Sequence, residues 1–535
     1  MDQCDVLIIG AGPTGLMMAS ELARYGMQCR IIDKSQDPSD KSKALAIQPR
    51  TMEIFHFLGI DSEFLQKGHK IKALNIMSNR SAIGHVDFKP LDSPFPFILS
   101  LPQSVTEEIL TRHLMSFGLE IERSKELVGL KETGSGIIAD IQSSLNKREQ
   151  IAAKWVIGCD GAHSFVRKHL NLTFKGKAFP DVFSLADVQL DWKYSHDEVF
   201  AFWRPEGILA AIPLPQKGCY RLIFELGRCQ GKPHQQSPDN LQVEIPPPSL
   251  EEVTQIVHQR ADSNAVVSNP MWLANFHVNS RLASRYQVGN VFLAGDAVHI
   301  HSPVGGQGMN TGLQDAFNLA WKIAWVHQGK LSMKTLSTYH EERYATAMSL
   351  LKGTEFATHV AAMKKGWQIS LRNALARIIL SFPLVQNKMI RVLSQINIRY
   401  QHNLMINESG KFQCGPKAGS RMSNLMFGIE GSCVQLYDLL IKIDSFLVLF
   451  FIDGDSDLKQ LEPLINDLEK LPIPIKTLIV TKTPVSQKDS YLFADHAQFG
   501  AEKGACYVIR PDTYIGYRQT PIDPAALLNY FKQVR

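Results

Sequence analysis

The sequence predicts an α/β protein in which a doubly wound sheet carries an inserted mixed sheet and is followed by a separate α/β domain. The chain has 535 residues, more than one hydrophobic core usually supports, so two or three domains are expected. Near the amino terminus a strand-like run, a glycine-rich turn, a helical period and a second strand follow one another, as in a nucleotide-binding sheet. Beyond residue 446 strand-like and helical stretches alternate again and predict a further domain.

The composition is that of an ordinary globular protein. Hydrophobic residues make up 44% of the chain and charged residues 20%, which excludes the disordered, collagenous and membrane classes. The net charge of +5 comes from 57 basic and 52 acidic residues without a long basic run, so no nucleic-acid partner is expected. None of the eight cysteines has the spacing of a redox dithiol or a zinc knuckle. The amino terminus has no secretory signal, and the most apolar window, Phe446 to Ile452, is far shorter than the ~20 residues that span a bilayer. We therefore expect a cytoplasmic protein with no integral membrane segment.

The glycine-rich turn predicts a site for the diphosphate of a dinucleotide. It follows the apolar strand Val6 to Ile9 and precedes a helical period that Gly26 can close. Its glycines let the chain turn tightly, let the backbone approach a pyrophosphate and let the helix pack closely on the strand. Asp33 ends the next strand and is placed to accept ribose hydroxyls, and NAD and FAD fit this site equally well. The candidate residues here are Gly10, Gly12, Pro13, Thr14, Gly15, Asp33 and Lys34.

A second motif decides in favour of FAD. Asp296 follows Gly295 at the end of a predicted parallel strand, where its carboxylate can bond the ribityl chain that only a flavin possesses. The segment that follows can open a helix whose free backbone N–H groups, with an effective charge of about +0.5, stabilise negative charge on a reduced flavin. Its candidate residues are Pro303, Gly306, Gly308, Met309 and Asn310.

The remaining elements complete the prediction. Trp155 to Cys159 and Val291 to Ala294 predict returning strands of the first domain, and the short apolar runs between Val182 and Leu226 predict an antiparallel sheet in the insert. Residues 312 to 405 are mostly helical in pattern, with Pro383 as the main interruption, and residues 415 to 419 predict a linker. The last domain has predicted strands at 446–452, 475–480, 506–510 and 514–518 and helices at 456–470 and 523–533.

Three motifs together resemble those of the class A flavoprotein monooxygenases, the group that contains para-hydroxybenzoate and phenol hydroxylases. They are Gly10 to Gly15, Asp160-Gly161 and Gly295-Asp296, and the resemblance extends to Ala44–Glu53, Leu101–Gln103 and Asn318–Lys322. It covers residues 1 to 405. The segment Tyr507 to Arg518 resembles the terminal hairpin of the thioredoxin-like domain attached to phenol, phenylpropionate and polyketide hydroxylases. No Cys-x-x-Cys is present, so a packing or dimer role is expected for that domain.

The resemblance implies a para-hydroxybenzoate hydroxylase-like fold, with a Rossmann-type FAD-binding domain, an inserted mixed-sheet substrate domain and a C-terminal thioredoxin-like domain. The expected boundaries are 1–72, 98–180 and 275–345 for the FAD-binding domain, 73–97 and 181–274 for the substrate domain, 346–410 for a helical connection and 420–535 for the thioredoxin-like domain.

The resemblance also implies roles for individual residues. Arg50 and Gln103 are expected near the flavin, Asp160 is linked to both FAD and the reduced nicotinamide, and Pro303 is expected near the isoalloxazine ring. Lys43 stands where the family usually has arginine; a lysine keeps the charge but loses the bidentate geometry.

The implied activity is hydroxylation of an aromatic substrate, phenolic or polyketide. NADH or NADPH reduces FAD, O2 adds to the flavin, and the resulting flavin hydroperoxide hydroxylates the ring. The catalytic base is not identified. Tyr194, His196, Tyr220 and the pair Trp203-Arg204 are candidates to line the pocket, although aromatic residues in such strands more often serve packing.

Alternatives remain at the level of the sequence. A different flavoprotein oxidoreductase on the same scaffold, or a non-catalytic flavin-binding protein that associates through its last domain, would also fit. The expected partners are a small aromatic substrate and O2, and a homodimer is one arrangement left open. No metal is expected, because the flavin motif already explains the cluster of Asp296, His299 and His301.

Overall fold

The structure is a computed structural model. It describes residues 2–39, 42, 44–78, 81–134, 136–144, 147–228, 246–301, 305–361, 363, 366–429, 432–453, 455–482 and 491–535. The α-helices of this part of the chain are α1 (Pro13–Arg24), α2 (Pro49–Leu58), α3 (Asp61–Lys67), α4 (Gln103–Met115), α5 (Phe165–His169), α6 (Leu250–Arg260), α7 (Gly308–His327), α8 (Ser337–Ala361), α9 (Gly366–Ile379), α10 (Pro383–Leu393), α11 (Leu436–Leu439), α12 (Asp455–Glu469) and α13 (Pro524–Val534). None of these helices is both long and apolar enough to cross a bilayer.

The first sheet is built around the amino-terminal strand. Val6 to Ile9 are all buried, as expected for a parallel strand covered on both faces, and α1 packs against α4 and α7. An antiparallel pair extends from one strand of this sheet, with Gly136–Ser143 bonded to Arg148–Gly158 and then to Lys125–Thr133. Across the sheet the strand order is Gln287–Val288, Val291–Leu293, Arg148–Gly158, Asp2–Ile9, Cys29–Ile32 and Ile121–Glu122, and the last five run parallel.

The second sheet is mostly antiparallel, as predicted for the insert. Its two longest strands, Phe174–Asp191 and Val266–Ala283, run from the first sheet out into the insert. The first strand of the order, His299–Ile300, pairs with Arg281 and Leu282 and so joins this sheet to the Gly295-Asp296 segment. The order is His299–Ile300, Val266–Ala283, Phe174–Asp191, Cys219–Arg228, Gly207–Pro213, Glu198–Arg204, Ala73–Ser78 and Ser81–Asp87. A separate small sheet consists of Ala46–Ile47, Ile98–Ser100 and His69–Ile71 in that order.

The third sheet forms the C-terminal domain. The strand Phe446–Ile452 is wholly buried at its centre, as its continuous apolar run predicts. The first strand of the order, Asn407–Gly410, was not predicted: it lies in the segment assigned to the helical connection, and its polar residues carry no strand pattern. The order is Asn407–Gly410, Ile515–Thr520, Ala505–Ile509, Phe446–Ile452, Ile475–Thr481, Tyr491–Phe493, Met426–Ile429 and Ser432–Gln435.

A buried ionic cluster joins the C-terminal domain to the first one. Glu342 on α8 accepts hydrogen bonds from Arg510 at 2.7 and 3.0 Å, from Lys322 on α7 at 2.9 Å and from Asn318 at 2.7 Å. The side chains of Glu342, Lys322 and Arg510 are all completely buried. Two motifs that are distant in sequence, Asn318–Lys322 and the terminal hairpin, therefore meet at one carboxylate.

Candidate functional site

The glycine-rich turn leaves the start of α1 open to a ligand. A Cβ on Gly15 would lie 1.9 Å from the carbonyl oxygen of Gly10, so glycine is needed here for the helix to pack on the strand. Gly10 has a positive φ of 101°, and a Cβ there would meet the backbone of Cys159. Gly12, in contrast, faces open space: no atom of the described part of the chain lies within 4 Å of a Cβ built there. Because Gly12 caps α1 without any side-chain hydrogen bond, the first N–H groups of the helix are available for an anion.

Asp33 is held beside this turn. Its Oδ2 accepts a hydrogen bond from the N–H of Ala11 at 2.7 Å, and its Oδ1 accepts one from the N–H of Ser35 at 2.8 Å. The carboxylate therefore fixes the turn and still has lone pairs for a hydroxyl ligand. The neighbouring Lys34 is exposed.

Asp160 lies on the other side of the same turn, because Gly10 packs against the backbone of Cys159 and Asp160. Its Oδ2 accepts a hydrogen bond from the N–H of Val166 at 3.1 Å, whereas its buried Oδ1 has no hydrogen-bond partner among the described residues. Burial raises the pKa of this carboxyl. A buried oxygen without a partner is rare in folded proteins and is consistent with a ligand at this position.

The Gly295-Asp296 motif contacts the glycine-rich turn directly. A Cβ on Gly295 would lie 2.5 Å from Oγ1 of Thr14, and one on Gly312 of α7 would lie 2.3 Å from the same atom. Gly295 also has a positive φ of 61°. Thr14 thus fits between two glycines, so the turn, the exposed Asp296 and α7 form one surface.

A residue that the sequence did not identify supports this arrangement. Oδ2 of Asp315 on α7 accepts hydrogen bonds from the N–H of Gly295 at 3.1 Å and from Nε2 of His299 at 2.8 Å. Its Oδ1 accepts one from Arg343 of α8 at 2.7 Å. Burial opposes ionisation of Asp315, but the charges and hydrogen bonds of Arg343 and His299 outweigh it and lower its pKa below the ordinary 3.8. His299 therefore has a structural partner in this carboxylate.

Asp315→Asn is expected to reduce the fall in the free energy of unfolding that the protein shows as the pH drops below 3.8. Since the folded-state pKa of Asp315 is depressed, its contribution to the free energy of unfolding is complete above pH 3.8 and is lost as the pH falls below that value. At pH 7 the variant should be about 2 kcal/mol less stable than wild type, because the amide keeps the shape but leaves Arg343 buried without a counter-charge. Denaturant unfolding between pH 7 and pH 3 would measure this difference.

The difference between wild type and Asp315→Asn should shrink over the acid part of that range. Asp444→Asn is the matched control, because its side chain is 67% exposed. A difference that stays constant down to pH 3 would contradict the assignment of an ionised, paired Asp315.

Asn310, near the start of α7, hydrogen-bonds the segment that contains Ala46 and Gln48. Its Nδ2 donates to the carbonyl oxygens of Ala46 and Gly306, both at 2.8 Å, and its Oδ1 accepts from the N–H of Gln48 at 2.8 Å. Gln48 in turn donates to the carbonyl oxygen of Gly305 at 2.8 Å. α7 begins at Gly308, inside the segment predicted to open a helix and four residues before the predicted helical pattern, and Met309 follows it half-buried. Its N-cap, Gln307, makes no side-chain cap, so the first N–H groups of α7 are also available.

The resemblance assigns Arg50 and Gln103 to the flavin site, and the structure gives these two side chains different partners. The Arg50 guanidinium is buried and donates to Glu53 at 3.0 Å, to the carbonyl oxygen of Asp512 at 3.1 Å and to Thr513 at 2.8 Å. The hydrogen bonds of Arg50 are thus with its own helix and the C-terminal domain, and its place near the flavin stays a prediction.

Gln103 lies at the start of α4 and holds the preceding loop. Its Oε1 accepts from the N–H of Ala44 at 3.1 Å, and its Nε2 donates to Glu107 at 2.8 Å. Lys43 and Pro303 lie outside the described residues.

One face of the second sheet packs against α6, and the opposite face, which we call the half-open face, is only partly buried. Leu209 and Ala211 are buried against Val253 and Val257 of α6. The alternating residues of that strand, Ile208, Ala210 and Ile212, point to the opposite face and are only partly buried. The second face is therefore apolar and only partly covered.

The candidates for pocket lining divide between these faces. Tyr194 and Tyr220 belong to the packed cluster under α6, and His196 bonds the carbonyl oxygen of Leu214 at 3.1 Å, so these three serve packing. Trp203 lies on the half-open face, with the Arg372 guanidinium of α9 4.8 Å from its ring centroid. Arg204 donates to the carbonyl oxygen of Arg260 at 2.8 Å.

Comparisons with known proteins agree with this geometry. The model of the FAD binding domain family matches residues 3–354. Pentachlorophenol 4-monooxygenase of Sphingobium chlorophenolicum is 31% identical over 525 residues, which cover 96% of this chain and 93% of that protein. A flavin-dependent monooxygenase of Mycobacteroides abscessus is 35% identical over 503 residues, which cover 91% of this chain and 96% of that protein.

The solved structures include the OxyS anhydrotetracycline hydroxylase from Streptomyces rimosus. It is similar with a TM-score of 0.76 at 26% identity, covering 99% of both chains. These matches confirm the FAD-dependent monooxygenase predicted from the three motifs and leave the non-catalytic alternative without support. The chain belongs to the family of FAD-dependent aromatic and polyketide monooxygenases.

Proposed function

We propose that this protein uses NADPH or NADH and O2 to hydroxylate an aromatic substrate, phenolic or polyketide, with FAD bound where the three motifs meet. The observation that carries the proposal is the contact between the glycine-rich turn and the Gly295-Asp296 segment through Thr14. It brings two unsatisfied helix starts, those of α1 and α7, to one surface.

The residues at this surface fit an FAD molecule. Gly12 leaves space at the open end of α1 for the diphosphate, Asp33 accepts ribose hydroxyls, and Asp296 accepts the ribityl hydroxyls. Gly306, Gly308 and the N–H groups that open α7 stabilise negative charge at the pyrimidine end of the ring. The unpartnered Oδ1 of Asp160 supports a polar ligand beside the turn. When bound, FAD supplies the transfer of electrons to O2 and of one oxygen atom to the substrate.

The half-open face of the second sheet is the proposed wall for the substrate ring. Ile208, Ala210 and Ile212 present an apolar surface, and the long strand Val266–Ala283 is joined by backbone pairing to His299–Ile300 of the flavin site. An apolar wall binds a planar aromatic ring and keeps water away from the reacting atoms. Relatives named for pentachlorophenol and for 6-methylpretetramide support a phenol or a polycyclic polyketide as substrate.

The C-terminal domain is proposed to be thioredoxin-like in fold and to serve packing. Strand Phe446–Ile452, paired with both Ile475–Thr481 and Ala505–Ile509, supports that fold. The ionic cluster at Glu342 supports the packing role.

Cofactor consumption is the direct test of the activity. The purified protein with FAD would be mixed with NADPH or NADH and a panel of phenols and polycyclic polyketides, and the products would be analysed by mass for one added oxygen atom. A true substrate should both accelerate nicotinamide oxidation and gain one oxygen. If no compound in a broad panel does either, the hydroxylase proposal fails, even where FAD is bound.

Asp296→Ala is expected to weaken FAD binding about tenfold or more, because hydrogen bonds to a charged carboxylate contribute about 1.5–3 kcal/mol. The measurement is the flavin absorbance that remains after gel filtration, with Asp438→Ala as a matched control at an exposed aspartate. A variant that stays fully yellow through purification would overturn the role given to Asp296.

A further inference from the structure

The helical connection carries a concentrated apolar surface. We define the α9 face as the exposed side chains Trp367, Leu371, Leu375, Ile378 and Ile379, continued by Phe356, Phe382 and Leu384. Their exposed fractions run from 47% to 84%. In the described part of the chain twenty large apolar side chains are exposed, and eight of them lie between residues 356 and 384. Such a concentration marks an interaction surface, whereas single exposed apolar residues need no explanation.

The opposite side of α9 is already packed. Arg372 lies over the Trp203 ring, Asn373 donates to Oγ of Ser78 at 2.7 Å, and Ile369 is buried. Residues spaced by three or four positions share one side of a helix, so residues 367, 371, 375 and 378 form a stripe facing away from the substrate sheet. The stripe is therefore the outward side of α9, whose inner side is already packed against the second sheet.

The charged side chains of α9 and α10 are all basic, and Glu355, next to Phe356, lies 3.9 Å from Lys177. Residues 356 to 407 include no aspartate or glutamate and seven lysines or arginines. Arg377, Lys388 and Arg391 are exposed on the helices that carry the face. An apolar stripe with tryptophan and phenylalanine, on helices α9 and α10 that carry basic residues and no acidic ones, has the chemistry of a helix that lies in the headgroup region of an anionic bilayer.

We propose that the α9 face docks the protein on the surface of an anionic lipid bilayer. The apolar stripe enters the boundary between headgroups and acyl chains, and Arg377, Lys388 and Arg391 reach lipid phosphates. A second copy of the chain is a poorer occupant, because a two-fold contact through this face would bring the same basic side chains together with no acidic partner in the segment. This docking is independent of the substrate proposed above.

Vesicle sedimentation tests the docking. The full chain with bound FAD would be spun down with vesicles of equal parts phosphatidylglycerol and phosphatidylcholine, and separately with vesicles of phosphatidylcholine alone, at low ionic strength. The wild type should sediment with the anionic vesicles and much less with the neutral ones. A wild type that stays in the supernatant with anionic vesicles overturns the proposal.

Two variants assign the binding to this face. Leu371→Ser with Ile378→Ser should weaken vesicle partitioning about tenfold or more, since two apolar side chains that enter the bilayer are lost. Met115→Ser with Met333→Ser is the matched control, because those side chains are 55% and 56% exposed, against 52% and 58% for Leu371 and Ile378. Equal losses in both double variants would overturn the proposal.

A charge-reversal variant separates the electrostatic contribution. Arg377→Glu with Lys388→Glu should reduce the preference for anionic vesicles about tenfold or more, because each basic residue near such a surface contributes about 1 kcal/mol. Flavin absorbance and thermal midpoint confirm that each variant is folded. Sedimentation velocity tests whether a second copy of the chain covers the α9 face instead. The membrane proposal is overturned if the wild type is a dimer, Leu371→Ser with Ile378→Ser is a monomer, and neither protein binds vesicles.

Discussion

Glu342→Ala is expected to lower the free energy of unfolding by about 3–5 kcal/mol, because it leaves two buried cations without the carboxylate they share. Lys322 and Arg510 both bond Glu342, and all three side chains are completely buried. Burial already lowers the pKa of Lys322 to about 8, even though Glu342 opposes that shift. Without Glu342 the amine of Lys322 would be driven further toward its neutral form, while Arg510 would keep its charge.

Denaturant unfolding at pH 7 measures this effect, with Glu341→Ala as the control. Glu341 is the preceding residue of the same helix and is exposed, so it should change the stability by less than about 0.5 kcal/mol. Limited proteolysis of Glu342→Ala should also cut between α8 and the C-terminal domain sooner than in wild type. Equal stability of the two variants would show that the cluster does not hold the domains together.

Gly15→Ala is expected to cost about 3 kcal/mol of stability and to abolish FAD binding. The new Cβ would lie 1.9 Å from the carbonyl oxygen of Gly10, and backbone on both sides of the contact must move to admit it. Since Gly10 also contacts the backbone of Cys159, the displacement would reach the Asp160 motif as well. Thermal unfolding and flavin absorbance of the purified variant measure the two effects.

Gly12→Ala separates the two roles of the turn. No protein atom lies within 4 Å of the added Cβ, so the protein without FAD should keep its thermal midpoint. The methyl group would occupy the space proposed for the diphosphate, so FAD affinity should still fall. If Gly12→Ala binds FAD as tightly as wild type, the diphosphate does not lie against this glycine.

The sequence predicted the parts of the fold whose patterns are local. Strand Phe446–Ile452 and helix α7 begin where their apolar run and glycine-rich start indicate. Strand Asn407–Gly410 was missed, because its edge pairing depends on the distant strand Ile515–Thr520 and its own residues are polar.

The candidate site shows the same division. The glycines of the first turn could be found because tight turns and close backbone approach select glycine at fixed spacing. Asp315 was missed because one aspartate inside a helix carries no motif, and its partners Gly295 and Arg343 lie far away in sequence. An acidic residue inside a predicted helix that is rich in apolar residues was the one signal available.

For Arg50 the expected place near the flavin stays a prediction, whereas its contacts with the C-terminal domain are a finding. It stands in the expected segment, yet its guanidinium bonds Asp512 and Thr513 of the C-terminal domain. The fold of that domain, and its place against α2, could not be inferred from the segment around Arg50.

The shared carboxylate of Glu342 also bears on how the molecule can be shortened. The family match ends at residue 354, so it includes Lys322 and Glu342 but not Arg510. A fragment cut there would expose α7 and α8 on the side where the C-terminal hairpin now neutralises Glu342. A fragment that ends at residue 354 should therefore unfold at lower denaturant concentration than the full chain, because Glu342 and Lys322 would lose the buried Arg510 partner.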